Sequence, residues 1–194
     1  TRNRILGGQS SGTLYGLSSS AGAGTVIIDN SFFGNWTLTG SGYLYGLHVL
    51  SGQVYSVFNS FDLNDISGSA TVIGVYGGGA SAMLHLHNSI LRVAESQNPA
   101  YALLLPSGTI HSDYNLYESA SENPNFALGR IGANTYATLS SWQTATTLDS
   151  NSVSGAAGFV SASDLHVRPD ATGASSHGLF MAEFPEDIDG EVRD

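Results

Sequence analysis

The chain is expected to fold as an all-β, parallel β-helix solenoid of about four to five coils of 27–29 residues, ending in a C-terminal capping region with one short helix. Three observations predict this. The first is a repeat: Asn30-Ser31-Phe32, Asn59-Ser60-Phe61 and Asn88-Ser89-Ile90 recur every 29 residues, and steps of 27 extend the comb back to Asn3 and forward to Asn115. A second set travels with it: Leu14-Tyr15-Gly16-Leu17, Leu44-Tyr45-Gly46-Leu47, Ile73-Gly74-Val75-Tyr76 and Tyr101-Ala102-Leu103-Leu104. Self-similarity at a fixed period of ~20 to 50 residues marks stacked repeats. The second observation is period-two alternation, as in Val26, Ile28 and Phe32 or Leu84, Leu86 and Ile90, which is the spacing of strands with one buried face. The third is the absence of any sustained 3.6-residue period, which excludes helical repeats, while Gly and Ser punctuate every coil.

The Asn residues of the comb (Asn3, Asn30, Asn59, Asn88 and Asn115) each stand between two strands, at a corner. Asn tolerates the left-handed backbone of a tight bend. Stacked coil on coil, the five amides are expected to form a structural ladder.

Along the chain, Thr1 to Ile5 already match the corner motif, so the first coil opens part-way round. A solenoid leaves strand edges at an uncovered end. The expectation is therefore a C-terminal piece of a longer β-helix, its N-terminal coil covered by the rest of the parent chain or by another subunit. Residues 1–120 read as coils, with Gly77-Gly78-Gly79 as a turn and Tyr101–Leu105 as a strand. Residues 121–194 read as the capping region of the same domain. There, Thr138 to Ala145 has a Thr or Ser cap and an apolar side of Leu139 and Trp142, predicting a short helix that lays Trp142 over the end of the core. Phe159-Val160 and Asp164 to Val167 read as short strands.

Composition narrows the function. There is no cysteine, hence no disulfide or thiolate chemistry. No apolar run approaches ~18 residues, so no membrane span is expected. Lysine is absent, and six Arg against sixteen Asp and Glu leave a net charge of -10, which repels nucleic acid. Low charge and abundant Gly, Ser, Thr and Asn suit an extracellular or bacterial cell-surface protein.

A family resemblance rests on an ordered series: Ser112-Asp113-Tyr114-Asn115-Leu116-Tyr117, Trp142-Gln143, Asp149-Ser150-Asn151-Ser152, Phe159-Val160, Asp164-Leu165-His166-Val167, then Asp187-Ile188-Asp189-Gly190 and Arg193. It resembles the end of right-handed, pectate-lyase-like parallel β-helix proteins, and more narrowly the choice-of-anchor Q type of bacterial secreted and surface proteins. The resemblance implies a right-handed solenoid, export and surface attachment, and no single activity. The chain departs from it at Ala157-Gly158, where relatives tend to carry Asp-Pro.

Candidate sites are few. A lyase needs a base and a cationic group for the developing anion. Coil register at 29 and 27 residues places Ile27, Ser56, His85 and Ser112 in one outward column and Asp29, Phe58, His87 and Tyr114 in the next. His85, His87, Arg92 and Asp62 are thus the catalytic set if the chain is an enzyme, with Asp65 beside Asp62 for hydrolysis. Asp29, Phe58, His85, His87 and Tyr114 are the binding set if it is not. Asp187, Asp189 and Glu191 resemble part of a Ca2+ loop, against a terminal structural motif; no other cofactor is expected. Two functions stay open. One is a non-catalytic stalk, adhesin or glycan-binding module whose partner is a polysaccharide or cell-surface glycan. The other is a fragment of a polysaccharide lyase or glycoside hydrolase acting on acidic polysaccharide.

Overall fold

The computed structural model describes residues 2–63, 70–93, 98–119, 125–171 and 178–193. It is a parallel β-solenoid of about four turns. Coil 1 holds β1 (Asn3–Ser10) and β2 (Leu14–Asp29), and coil 2 holds β3 (Ser31–Leu38) and β4 (Tyr43–Val57). Coil 3 holds β5 (Ser60–Leu63), β6 (Thr71–Gly77) and β7 (Ala82–His87). Coil 4 holds β8 (Ile90–Val93), β9 (Ala100–Leu105) and β10 (Thr109–Asp113). The stack continues past Asn115 with β11 (Leu116–Ser119) and β12 (Phe126–Ile131), which pair in parallel with β8 and β9. Then come β13 (Asn134–Tyr136), α1 (Leu139–Thr146), β14 (Val153–Ser154), β15 (Phe159–Ser161) and β16 (Asp164–Val167).

The coils are three-sided. Face 1 stacks Leu14–Ser20 of β2, the first half of β4, then β6, β9 and β12. Face 2 stacks the second halves of β2 and β4, then β7 and β10. Face 3 stacks β1, β3, β5, β8, β11 and β14. Leu44, Leu47, Val54, Phe61, Leu84 and Leu91 turn inward to one core, the alternation breaking once at Gly46-Leu47. The recurrent Gly of the Leu-Tyr-Gly-Leu motif has a packing reason. A Cβ on Gly16 would clash with the Trp36 ring, and one on Gly46 would meet Phe61 at 2.9 Å. Glycine there lets face 3 aromatics reach across to face 1.

The corner between faces 2 and 3 corrects the single Asn column. Coil steps are 28, 28, 30 and 26 residues, so motifs 29 apart in sequence slip by one position. The register splits them into two columns. The first is left-handed backbone, occupied by Asn30, Phe58, Asn88 and Tyr114 with φ of 51–57°. The second alternates amide and hydroxyl: Asn3, Ser31, Asn59, Ser89, Asn115 and Ser152. The Ser31 N–H donates to Asn59 Oδ1 and the Ser89 N–H to Asn115 Oδ1, both at 2.9 Å. The Asn59 N–H donates to Ser89 Oγ and the Asn115 N–H to Ser152 Oγ. The buried amide NH2 groups turn to backbone carbonyls before the bend, Asn59 to Ile28 and Asn115 to Leu86. The alternation gives these buried N–H groups a side-chain acceptor that a sheet ladder alone would not supply at a bend.

The far end is closed as the helix pattern predicts. Thr138 caps α1 in a reciprocal box with Ser141. Trp142 is fully buried over the last coil, beneath which Gly129 leaves room for its ring. Its indole N–H donates 2.9 Å to the buried Asp149 carboxylate. That carboxylate also accepts from Ser112 (2.5 Å), Tyr117 (2.9 Å) and Ser152 (2.6 Å). Burial first, and Asp149 second, push the Tyr117 hydroxyl far above its ordinary range.

After the cap the chain turns back over the outside of the solenoid. The hairpin β15–β16 covers face 3, burying Phe159 and Leu165 against Phe32 and Leu116. Residues 178–193 then run as an irregular strap along the left-handed corner, back to coil 1. Asn88 exchanges two hydrogen bonds with the Leu179 backbone. Arg193 lies 3.9 Å over the Phe58 ring and donates to Asn30. Glu186 pairs with Arg2, and Asp189 accepts from Arg4 at 2.8 Å. A cavity of about 220 Å3 remains beneath, bounded by Asn30, Phe58, His166 and Arg193 among others. Among the described residues, no helix is long and apolar enough to cross a membrane.

Candidate functional site

The candidate catalytic residues sit on two different faces. His85 and His87 lie on β7 in face 2, whereas Asp62 on β5 and Arg92 on β8 lie side by side in face 3. Asp62 is 1% exposed. Arg92 lies between two carboxylates, 3.6 Å from Asp62 and 3.7 Å from Glu118. Glu118 in turn accepts the Ala157 N–H at the root of the β15–β16 hairpin, at 2.7 Å. This row is a charged strip under the C-terminal hairpin, so the set His85, His87, Arg92 and Asp62 does not converge. Asp65 lies outside the described residues.

The register also changes the expected columns. Tyr55 and His111, not Ser56 and Ser112, flank His85. Ser56 and Ser112 point inward, in line with Ile28 and Leu86. The cause is again the 30- and 26-residue coils. Tyr55 stacks on His85 at 4.2 Å, and His85 on His111 at 5.0 Å. Burial, then the neighbouring His111 and His87, lowers the His85 pKa and keeps the imidazole neutral. His87 is likewise lowered by burial, which outweighs the raising effect of Asp113.

Of the other binding candidates, Asp29 shares the His87 and Asp113 column, while Phe58 and Tyr114 occupy the left-handed corner. Phe58 is packed under Arg193 and near Phe184. The five therefore divide between a sheet and a corner.

Asp187, Asp189 and Glu191 form a tight turn whose groups are already engaged. Asp187 Oδ1 accepts the N–H groups of Asp189 and Glu191 at 2.9 Å. Asp189 accepts from Arg4 at 2.8 Å and from His166 Nε2 at 2.6 Å. Among the described residues, no group of three or more His, Asp or Glu side chains is placed to hold a metal ion.

Face 1 carries the surface that the candidate list missed. Tyr15 and Tyr45 stack at 5.1 Å with planes 3° apart, and Tyr43 lies 5.7 Å from Tyr45 at 20°. Tyr45 meets Tyr76 edge-on at 5.2 Å, and His48 stacks on Tyr76 at 4.9 Å. Ser18 Oγ and His48 Nδ1 are 3.0 Å apart. Burial first, then the neighbouring Tyr76, Tyr15 and Tyr43 hydroxyls, pushes the Tyr45 pKa up to about 12. Burial lowers that of His48. The cluster is therefore an array of neutral rings and hydroxyls. Its signal was present in the repeated Leu-Tyr-Gly-Leu motif and the alternate Tyr43 and Tyr45, which the period-two rule sends outward.

No known family, no curated protein and no solved structure matches this chain.

Proposed function

We propose that this chain is a non-catalytic module of a bacterial surface or secreted protein, a stiff solenoid whose lateral sheets display a glycan-binding surface. The reading includes its assignment to the right-handed, choice-of-anchor Q type, on the C-terminal motif series given above. The observation that carries the display function is the outward build of faces 1 and 2. Rings are stacked from coil to coil there, while Asp62 and Arg92 are apart from the histidines and beneath the hairpin. A stack of neutral rings binds by contact and hydrogen bonding, and offers no paired acid and base for proton transfer.

The test is incubation with a panel of acidic and neutral polysaccharides. Absorbance near 235 nm reports unsaturated lyase products, reducing ends report hydrolysis, and co-sedimentation reports binding. Retention without product formation is the expected result. Turnover abolished by Arg92→Ala or His85→Ala would instead establish a polysaccharide-degrading fragment.

A further inference from the structure

We propose that face 1 binds an uncharged polysaccharide, gripped by Tyr15, Tyr43 and Tyr76, which Tyr45 and His48 brace from beneath. The inference rests on the display-module reading and narrows it to one face and one ligand class.

Charge selects the ligand class. The strands of face 1 in the first four coils, Leu14–Ser20, Tyr43–Val49, Thr71–Gly77 and Ala100–Leu105, contain no Asp, Glu, Lys or Arg. Arg130 first brings a charge, on β12. This uncharged expanse belongs to a protein with a net charge of -10. A polyanion would find no cation on these strands and a repulsive field around them. A neutral chain of sugars pays neither penalty.

Ring geometry selects a sugar. A pyranose presents apolar C–H groups and a rim of hydroxyls, and a tyrosine presents a ring and one hydroxyl. Tyr15 and Tyr43 are 47% and 48% exposed, so ring edge and hydroxyl are both within reach of a ligand. Their inner neighbours Tyr45 and His48 are nearly buried and brace them. Such rings are already ordered, so binding loses little side-chain freedom. Tyr15, Tyr45, Ile73 and Tyr101 share one column along the axis at the ~4.8 Å coil spacing, with Ile73 buried beneath its neighbours and Tyr15 half exposed at the end of the row.

Area disfavours a second copy of this chain. A stable dimer buries ~800 Å2 per partner. Half-exposed tyrosines offer roughly 100 Å2 each, from the ~150–250 Å2 of a whole aromatic side chain. Two of them support a sugar chain and fall well short of a dimer interface.

Affinity electrophoresis through gels containing β-glucan, galactomannan, polygalacturonate or alginate tests the proposal. The wild-type protein is expected to be retarded by at least one neutral polymer, with little change on adding salt. Tyr15→Ala with Tyr43→Ala should weaken that retardation at least tenfold, while Tyr55→Ala on face 2 leaves it intact. Both substituted tyrosines are half exposed, and circular dichroism checks that the double variant folds. Tyr15→Ser alone provides a milder second variant with a smaller loss in the same direction. Neutral binding that survives the double variant but fails in Tyr55→Ala would overturn face 1 and leave the display module standing. Retardation by the polyanions alone would overturn the ligand class. Migration unaffected by any of the four polymers would overturn both.

Discussion

Asn59 and Asn88 occupy the same position of the same sequence motif and do different work. Asn59 is buried, accepts the Ser31 N–H and donates to Ile28 O and Ser56 Oγ. Asn88 adopts φ of 52° at the surface and its side chain bonds the strap, at Leu179. Removing a buried amide leaves its partners unsatisfied, at about 1–3 kcal/mol for each orphaned group. Asn59→Ala is therefore expected to lower global stability by at least about 2 kcal/mol. Asn88→Ala should cost about 1 kcal/mol, mainly from the left-handed backbone. Urea unfolding of the two variants checks the difference, and equal losses would contradict the two-column register.

Among the elements, the strap is held most by charge. His166 donates to Asp164 and to Asp189, and Asp189 also takes Arg4. Burial disfavours the His166 cation, but hydrogen bonds to Asp164 and Asp189 outweigh it and raise the pKa above 6.5. Its contribution is thus complete below pH 6.5 and is lost as pH rises through the raised value. Hydrogen exchange across 178–193, corrected for intrinsic rates, is expected to accelerate over that window. His166→Gln should exchange fast throughout and abolish the pH dependence. The histidines of faces 1 and 2 act oppositely, because the folded pKa values of His48, His85 and His87 are depressed. The unfolded chain takes up protons first, so the melting temperature should fall as pH drops below 6.5.

For the whole molecule, the sequence was legible where physics repeats. Period-two alternation, the recurring Gly beneath Trp36 and Phe61, and the Thr138 cap with Trp142 each state one local rule, and together they specify a stacked β-fold with a helical lid. The register was not legible, because identical Asn-Ser motifs fit either corner position and coil lengths vary between 26 and 30 residues. That slip moved Tyr55 and His111 into the His85 column, and the corner between faces 2 and 3 separates the histidines from Asp62 and Arg92. The strap was also hidden. It has no periodicity, and its contacts, such as Arg4 with Asp189, join residues 185 apart in sequence. The tyrosine array was written in the motif but was read there only as a repeat.

Register decides which rings share a column, so it is the claim to test. Gln53 pairs with Met83, whereas a uniform 29-residue coil would place Ala82 opposite it. The protein has no cysteine, so an introduced pair reports cleanly. Adjacent parallel strands lie ~4.8 Å apart, inside the Cα range that a disulfide spans. Mild oxidation followed by non-reducing peptide mapping should show Gln53→Cys with Met83→Cys cross-linked almost completely, and Gln53→Cys with Ala82→Cys left as thiols. The reverse pattern, or no cross-link in either variant, would contradict the stacking described here.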